Sequence, residues 1–319
     1  MGEKFDVVTI GVHIVDILGR PVAAVPEGQG IALLDEIRMT VAGTAAGTAV
    51  DLARLGVNIA TIGLVGDDEL GRWLTHKMSS EGVDTSRIAV DSRAQTSASM
   101  LPIRPNGQRP ALHVKGTNAL LSLDHMDWPL IESAKYVHVG GSCLLDSLDG
   151  EPTAEILRRA QAAGAKTSLD LLGLGDSDFA GIFGPCLEHI DYFLPNDEDA
   201  LMVSGQSTQA DAIRWLHDRG VGATVITLGA HGASYAANGG AETRGAAYAV
   251  KVVDTTGCGD AFSAGFLTGL VEGMDPVGAM ELGLASGSLV ATGLGSDAGL
   301  TDRSGLESFM ATTARNPLP

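Results

Sequence analysis

Asp254-Thr255-Thr256-Gly257-Cys258-Gly259-Asp260 runs directly into Ala261-Phe262-Ser263-Ala264-Gly265-Phe266-Leu267-Thr268-Gly269-Leu270. Phe262, Phe266 and Leu270 recur every four residues and draw one apolar stripe along a helix. The apolar run over 248–253 reads as extended, so a glycine-rich turn leads from extended chain into a helix N-terminus. Free N–H groups there, together with the helix dipole, form an anion site. Gly257 and Gly259 let the backbone approach a phosphate closely. Asp260 admits two readings. It is a helix cap favoured by the dipole, or a general base that takes a proton from an attacking hydroxyl. Spacing alone leaves both open.

Upstream, short apolar strands alternate with helical patterns. Strands are expected over 5–12, 59–65, 136–139, 166–171, 192–194 and 224–228. Helices are expected over 43–55, ending at Gly56, and over 69–80, capped by Asp67 or Asp68 and stopping at Gly82. Two more are expected over about 153–163 and 208–219. This order implies βαβ units and a mostly parallel sheet covered by helices on both faces. Two stretches, about 13–42 and 96–118, break the alternation. They read as antiparallel strands inserted into the α/β domain, either a lid or two surface hairpins. The second contains the turn signal Pro105-Asn106-Gly107.

Composition narrows the function. The 319 residues carry a net charge of −18, which disfavours nucleic acid and anionic membrane surfaces. No run of about 18 apolar residues suggests a membrane span. Residues 1–12 lack the pattern of a secretory signal, and Cys143, Cys186 and Cys258 are scattered and odd in number. A cytoplasmic protein without disulfides or zinc spacing is therefore expected. The 42 glycines are nearly twice the usual share of ~7%.

The stretch 254–260 resembles the C-terminal signature of the ribokinase-like (pfkB) carbohydrate kinases. Further motifs resemble that family in the same order. They are Ala42-Gly43-Thr44-Ala45-Ala46-Gly47-Thr48-Ala49, Gly63-Leu64-Val65-Gly66-Asp67-Asp68, Asn196-Asp197-Glu198-Asp199 and Thr227-Leu228-Gly229-Ala230-His231-Gly232. The resemblance covers nearly the whole chain and implies one ribokinase-like α/β domain over 1–319. A mostly parallel sheet flanked by helices would carry a small antiparallel β lid built from the two irregular stretches. It implies ATP and Mg²⁺, with K⁺ required in some members, and a homodimer paired through the lid.

Residue by residue, the resemblance makes Asp260 the general base. The backbone at Gly257, Cys258 and Gly259 becomes the anion hole. Asp16, Gly43, Gly47, His13 and Arg109 would meet the acceptor. Asn196, Thr227, Gly229 and Gly232 would meet ATP. Asp199 would reach Mg²⁺ through water, with Glu198 as the neighbouring alternative, and Asp254 and Thr256 would hold a monovalent cation. Three positions depart from the family pattern. Gly47 replaces a common asparagine, Ala42 a usual glycine and Asp199 a usual glutamate.

Neither inserted stretch contains Phe, Tyr or Trp. A nucleobase acceptor is usually gripped by stacking, so a compact sugar is favoured over a nucleoside. Arg20, Arg38, Arg104, Arg109 and Lys115 lie near the lid and would suit a phosphosugar or sugar acid. The rival classes are a non-catalytic binding protein on the same fold and a Rossmann dehydrogenase. The latter's Gly-x-Gly-x-x-Gly is missing after the first strand.

Overall fold

The computed structural model describes residues 5–105, 108–173, 177–296 and 298–318. In chain order its strands are β1 (Val7–Gly11), β2 (Ile14–Arg20), β3 (Glu36–Ala42), β4 (Ile59–Gly66), β5 (Asp84–Asp91), β6 (Ala98–Pro102) and β7 (Leu112–Val114). They continue as β8 (Tyr136–Ser142), β9 (Lys166–Leu171), β10 (Tyr192–Phe193), β11 (Ala223–Thr227), β12 (Ala233–Ala237) and β13 (Thr243–Gly245). The helices are α1 (Thr44–Arg54), α2 (Glu69–Ser80), α3 (Trp128–Ser133), α4 (Glu151–Ala162) and α5 (Phe179–Phe183). The remaining five are α6 (Asp197–Ser204), α7 (Gln209–His217), α8 (Cys258–Val271), α9 (Pro276–Val290) and α10 (Arg303–Thr312).

Apolar side chains on β1 explain the layering. Val7 joins a buried cluster with Phe262, Phe266 and Leu267, whereas Val8 and Ile10 join another with Ile62, Val139 and Leu157. Successive strand residues point to opposite faces, so a strand that is apolar throughout has to be covered on both. The main sheet runs β13-β12-β11-β10-β9-β8-β1-β4-β5. Pairing is parallel from β11 to β5 and antiparallel at β12 and β13. Strand order reverses at β1, which lies between β4 and β8. Ligands of such sheets collect in the crevice beyond the carboxyl ends at that point.

The two irregular stretches form a second sheet in the order β3-β2-β6-β7. Its hairpin pairs β2–β3 and β6–β7 are antiparallel, and a parallel β2–β6 pairing joins them. Asn106 and Gly107 of the expected turn lie outside the described residues. Strand alternation gives this lid two unlike faces. Asp16, Leu18, Ser99 and Leu101 are buried on one. On the other, register places Met39, Ile17, Met100 and Leu112 in a row across all four strands.

Several expected boundaries match the observed ones closely. The Asp68 carboxylate accepts from Gly71 N and starts α2, and Gly56 and Gly82 follow α1 and α2 at φ +87° and +96°. Helix α4 begins two residues earlier than expected because Pro152 fits its first turn. The run 248–253 forms no strand. Ala249 N bonds to Ala314 O at 2.8 Å and Val253 N to Ala291 O at 2.8 Å, so its backbone serves the C-terminal tail and the end of α9. Among the described residues no helix is long and apolar enough to cross a membrane.

Candidate active site

A cavity of about 450 Å³ lies between the lid and the carboxyl ends of the parallel strands. The lid contributes Asp16, Ser99, Arg109 and His113. The body contributes Gly43, Asp170, Asn196, Asp199, Thr227, Thr255, Gly257, Gly259, Asp260 and Ser263. Phe, Tyr and Trp do not occur among these lining residues.

The N-terminus of α8 forms one wall. Its N-cap, Gly257, has φ +78° and ψ 0°, and no side chain caps the helix. A Cβ at Gly257 would come within 2.4 Å of Ser296 Cα, so both conformation and packing require glycine. At Gly259 a Cβ would meet nothing within 4 Å, because that backbone borders open cavity. The first N–H groups of α8 therefore have no capping side chain to satisfy them, which suits an anion.

Asp260 sits in the first turn of α8 and is buried. Burial raises its carboxyl to about 6, the nearby Asp16 charge adds to the rise, and the Arg109 guanidinium opposes it. Asp16, likewise buried, is raised to about 6, chiefly by desolvation and against a hydrogen bond from Ser99 and the charge of Arg109. A third acid escaped the sequence reading. Asp170 near the end of β9 is buried in the same cavity, and burial with the neighbouring Asp260 and Asp199 holds it well above the usual carboxylate range. Its signal was positional: a carboxylate at the carboxyl end of an apolar strand, where ligands of α/β sheets gather.

Helix α6 supplies the acidic motif. Asn196 caps it, its Oδ1 accepting from Asp199 N at 2.8 Å while its Nδ2 donates to Asp199 Oδ2 at 2.7 Å. Asp199 is buried and raised to about 6 by desolvation and by Glu198, which is itself exposed. Among the described residues no cation offsets its charge.

A second, more apolar cavity of about 290 Å³ adjoins the first. Gly229, Gly232, Tyr248, Val250, Val252, Cys258 and Phe262 line it. Thr227, Thr255 and Gly259 line both cavities and mark their junction. Gly232 has φ +101°, and a Cβ there would lie 1.9 Å from Gly245 O. Burial pushes the Cys258 thiol up to about 12, which suits an inert filler rather than a nucleophile.

Other sequence candidates take different places. His13 does not line the cavity. It is fully buried, with Nδ1 2.9 Å from Gly11 O and Nε2 3.0 Å from Thr61 Oγ1, packed over Gly63 where a Cβ would collide with its ring. Desolvation lowers its pKa to about 4, so it is a neutral core histidine. Gly47 also lies outside the cavity lining. A Cβ there would be 2.6 Å from Asp260 Oδ2, so its bare backbone makes room for that carboxylate. Gly43 does line the cavity, at φ +93° and pressed against Val12 O. Asp254 is a buried tie: Oδ1 accepts from Thr256 N and Oγ1, and Oδ2 from Gly295 N at 2.9 Å. Of the five cations near the lid, Arg109 alone is among the described cavity residues. Arg20 pairs with Glu36, Arg38 reaches Leu294 O, Arg104 reaches Val22 O and Ala23 O, and Lys115 pairs with Asp146.

The sequence profile of the pfkB family of carbohydrate kinases matches residues 4–303. A ribokinase of Haemophilus influenzae is 26% identical over 267 residues, spanning 82% of this chain and 84% of the relative. An ATP-dependent ribose-1-phosphate kinase of Halopiger xanaduensis is 31% identical, spanning 83% and 85%. The Arabidopsis thaliana ribokinase solved with ribose and ATP superposes with a TM-score of 0.82 at 21% identity, over 97% of this chain and 99% of that one. A ribokinase II from E. coli solved with ATP and Mg²⁺ gives 0.82 at 23% identity, over 96% and 99%. A lidded α/β fold with a buried aspartate at an uncapped glycine turn, matched by that profile from strand β1 to the start of α10, belongs to the pfkB family of carbohydrate kinases and is a phosphotransferase of that family.

Proposed function

We propose that the protein transfers the γ-phosphoryl group of ATP to an alcohol group of a small neutral sugar. The observation that carries this reading is the position of Asp260, buried beside the uncapped N-terminus of α8 where the two cavities meet. The apolar cavity suits the nucleobase, and the polar cavity under the lid suits the sugar. Asp260 would accept the proton of the attacking hydroxyl. The acceptor oxygen would bond to the γ-phosphorus as the bond to the β-phosphate oxygen breaks, leaving ADP. The N–H groups of Gly257, Cys258 and Gly259 would stabilise charge on the transferring group. Asp16, beside Ser99 on the neighbouring lid strand and lining the same cavity as Asp260, would hold acceptor hydroxyls.

Mg²⁺ would suit the Asn196–Asp199 corner, where no cation among the described residues offsets the charge of the buried Asp199 carboxylate. Among the described residues no three ligating side chains cluster, so the ion would take most of its oxygens from phosphate and water. When bound it would neutralise phosphate charge. Asp254 and Thr256 remain the candidates for holding K⁺. The described residues lining the polar cavity include no Phe, Tyr or Trp, which favours a sugar over a nucleoside. The apolar row Met39, Ile17, Met100 and Leu112 on the outer lid face supports a homodimer in which the partner's lid covers it.

The test is an ATP-consumption screen over sugars, sugar acids, phosphosugars and nucleosides, in potassium and in a large-cation buffer. Asp260→Asn should keep the fold and lose roughly 10²–10⁴-fold in rate. Turnover near wild type in that variant would overturn the base assignment, and a nucleoside winning the screen would overturn the sugar.

A further inference from the structure

Four carboxylates, Asp16, Asp170, Asp199 and Asp260, line the polar cavity, in a chain whose net charge is −18. Phosphoryl transfer brings still more negative charge to that place. Among the described lining residues Arg109 carries the one permanent positive charge, since the other basic side chain, His113, has its pKa lowered by burial. Arg109 comes from the lid, between β6 and β7, and does not stay on the lid. Its Nε donates to Thr255 Oγ1 at 3.1 Å, across 146 residues of sequence. Thr255 belongs to the turn that opens α8 and borders both cavities. The same guanidinium lines the cavity with Asp16 and Asp260 and is near enough to act electrostatically on both and on Cys258.

We propose that Arg109 is a catalytic residue that reaches from the lid to the transferring phosphoryl group, rather than a ligand for the sugar. A planar guanidinium with several N–H donors matches phosphoryl oxygens, and its charge counts most while the group passes between donor and acceptor. Its bond to Thr255 holds it at the junction before the substrates meet. The lid then does two jobs: Asp16 and Ser99 face the acceptor, and Arg109 faces the phosphoryl group. This inference rests on the kinase reading above.

Arg109 is exposed, so Arg109→Ala and Arg109→Lys should fold, which a thermal melt checks. With the acceptor found in the screen, Arg109→Ala should lower kcat by roughly 10²–10³-fold while the KM for acceptor stays near wild type. Arg109→Lys should recover only part, and added guanidinium ion should partly rescue the alanine variant. Calorimetry with ADP alone and with ADP plus fluoroaluminate needs no acceptor. The wild type should bind the second mixture more tightly, and Arg109→Ala should lose that preference while still binding ADP. A raised acceptor KM with kcat unchanged would make Arg109 a ligand for an anionic acceptor and overturn the proposal. Unchanged kinetics and an unchanged fluoroaluminate preference would also overturn it. If the screen finds no acceptor while wild type and variant still differ in calorimetry, the sugar-kinase reading fails and the role of Arg109 stands.

Discussion

Replacing Gly47 with alanine puts a methyl group where the Asp260 carboxylate now lies. The new Cβ would stand 2.6 Å from Asp260 Oδ2, 3.2 Å from its Cγ and 3.3 Å from its Cβ. To regain ordinary contact near 3.4 Å the carboxylate must retreat by roughly 0.8 Å. The helices themselves cannot easily separate. Thr48 Oγ1 bonds to the Asp260 carbonyl across the α1–α8 contact, and both helices are buried along most of their length. The movement therefore falls on the Asp260 side chain. A misplacement near 1 Å costs on the order of 10²-fold in rate, so kcat should fall by roughly that factor. Overpacking should cost about 1–3 kcal/mol of stability, which melting separates from the kinetic effect. Steady-state kinetics with ATP and the screened acceptor provide the assay. In an Asp260→Asn background the same alanine should change the rate little, because both substitutions disable one group. Wild-type kcat in Gly47→Ala, or equal losses in both backgrounds, would refute the assignment of Gly47 as the space-maker for the base.

The Asp260 carboxyl, raised to about 6, predicts that kcat/KM climbs with pH through an acid limb near 6; a profile flat down to about pH 4.5 would contradict it, and Asp16→Asn separates the limb from Asp16, which has the same value. Stability runs the other way. The folded pKa lies above the unfolded value of ~3.9, so the folded state holds the extra proton, and its stabilising effect is lost as pH rises from about 4 through 6. Asp260→Asn should therefore melt higher than wild type at about pH 7.5, and a lower melting point would count against a strained buried charge. Cys258→Ala should keep its rate, and the wild-type thiol, pushed up to about 12, should resist iodoacetamide near pH 7.5; rapid alkylation with loss of activity would reverse this. Leu112→Glu, on the outer lid face at 58% exposure, should give a monomer by light scattering, and an unchanged dimer would move the interface elsewhere.

Much of the architecture was legible from local chemistry. Apolar runs marked six of the nine strands of the main sheet, β1, β4 and β8 to β11, Asp68 and Gly82 marked the ends of a helix, and the glycine turn marked the start of α8, because each signal depends on neighbours a few residues away. The run over 248–253 joins neither sheet, since backbone groups choose partners over long distances, here Ala314 and Ala291, with Tyr248 in an isolated antiparallel bridge to Arg315. His13 and Gly47 lie outside the described cavity lining for a similar reason. Sequence placed them next to the site, but only packing shows that one fills the interior over Gly63 and the other clears space behind Asp260. Asp170 carried only its position at the carboxyl end of an apolar strand, a weak signal until the fold sets it beside Asp260 and Asp199. Residue order alone specified the kind of protein: an alternating α/β chain with a glycine-rich turn before a helix, two inserted stretches without Phe, Tyr or Trp, and an acidic background. Folding alone shows which of the five cations near the lid reaches the cavity. Four are engaged elsewhere, whereas Arg109 crosses from the lid to Thr255. Charge acts through space, and the chain does not bring a lid arginine and the glycine turn of α8 together until it has folded.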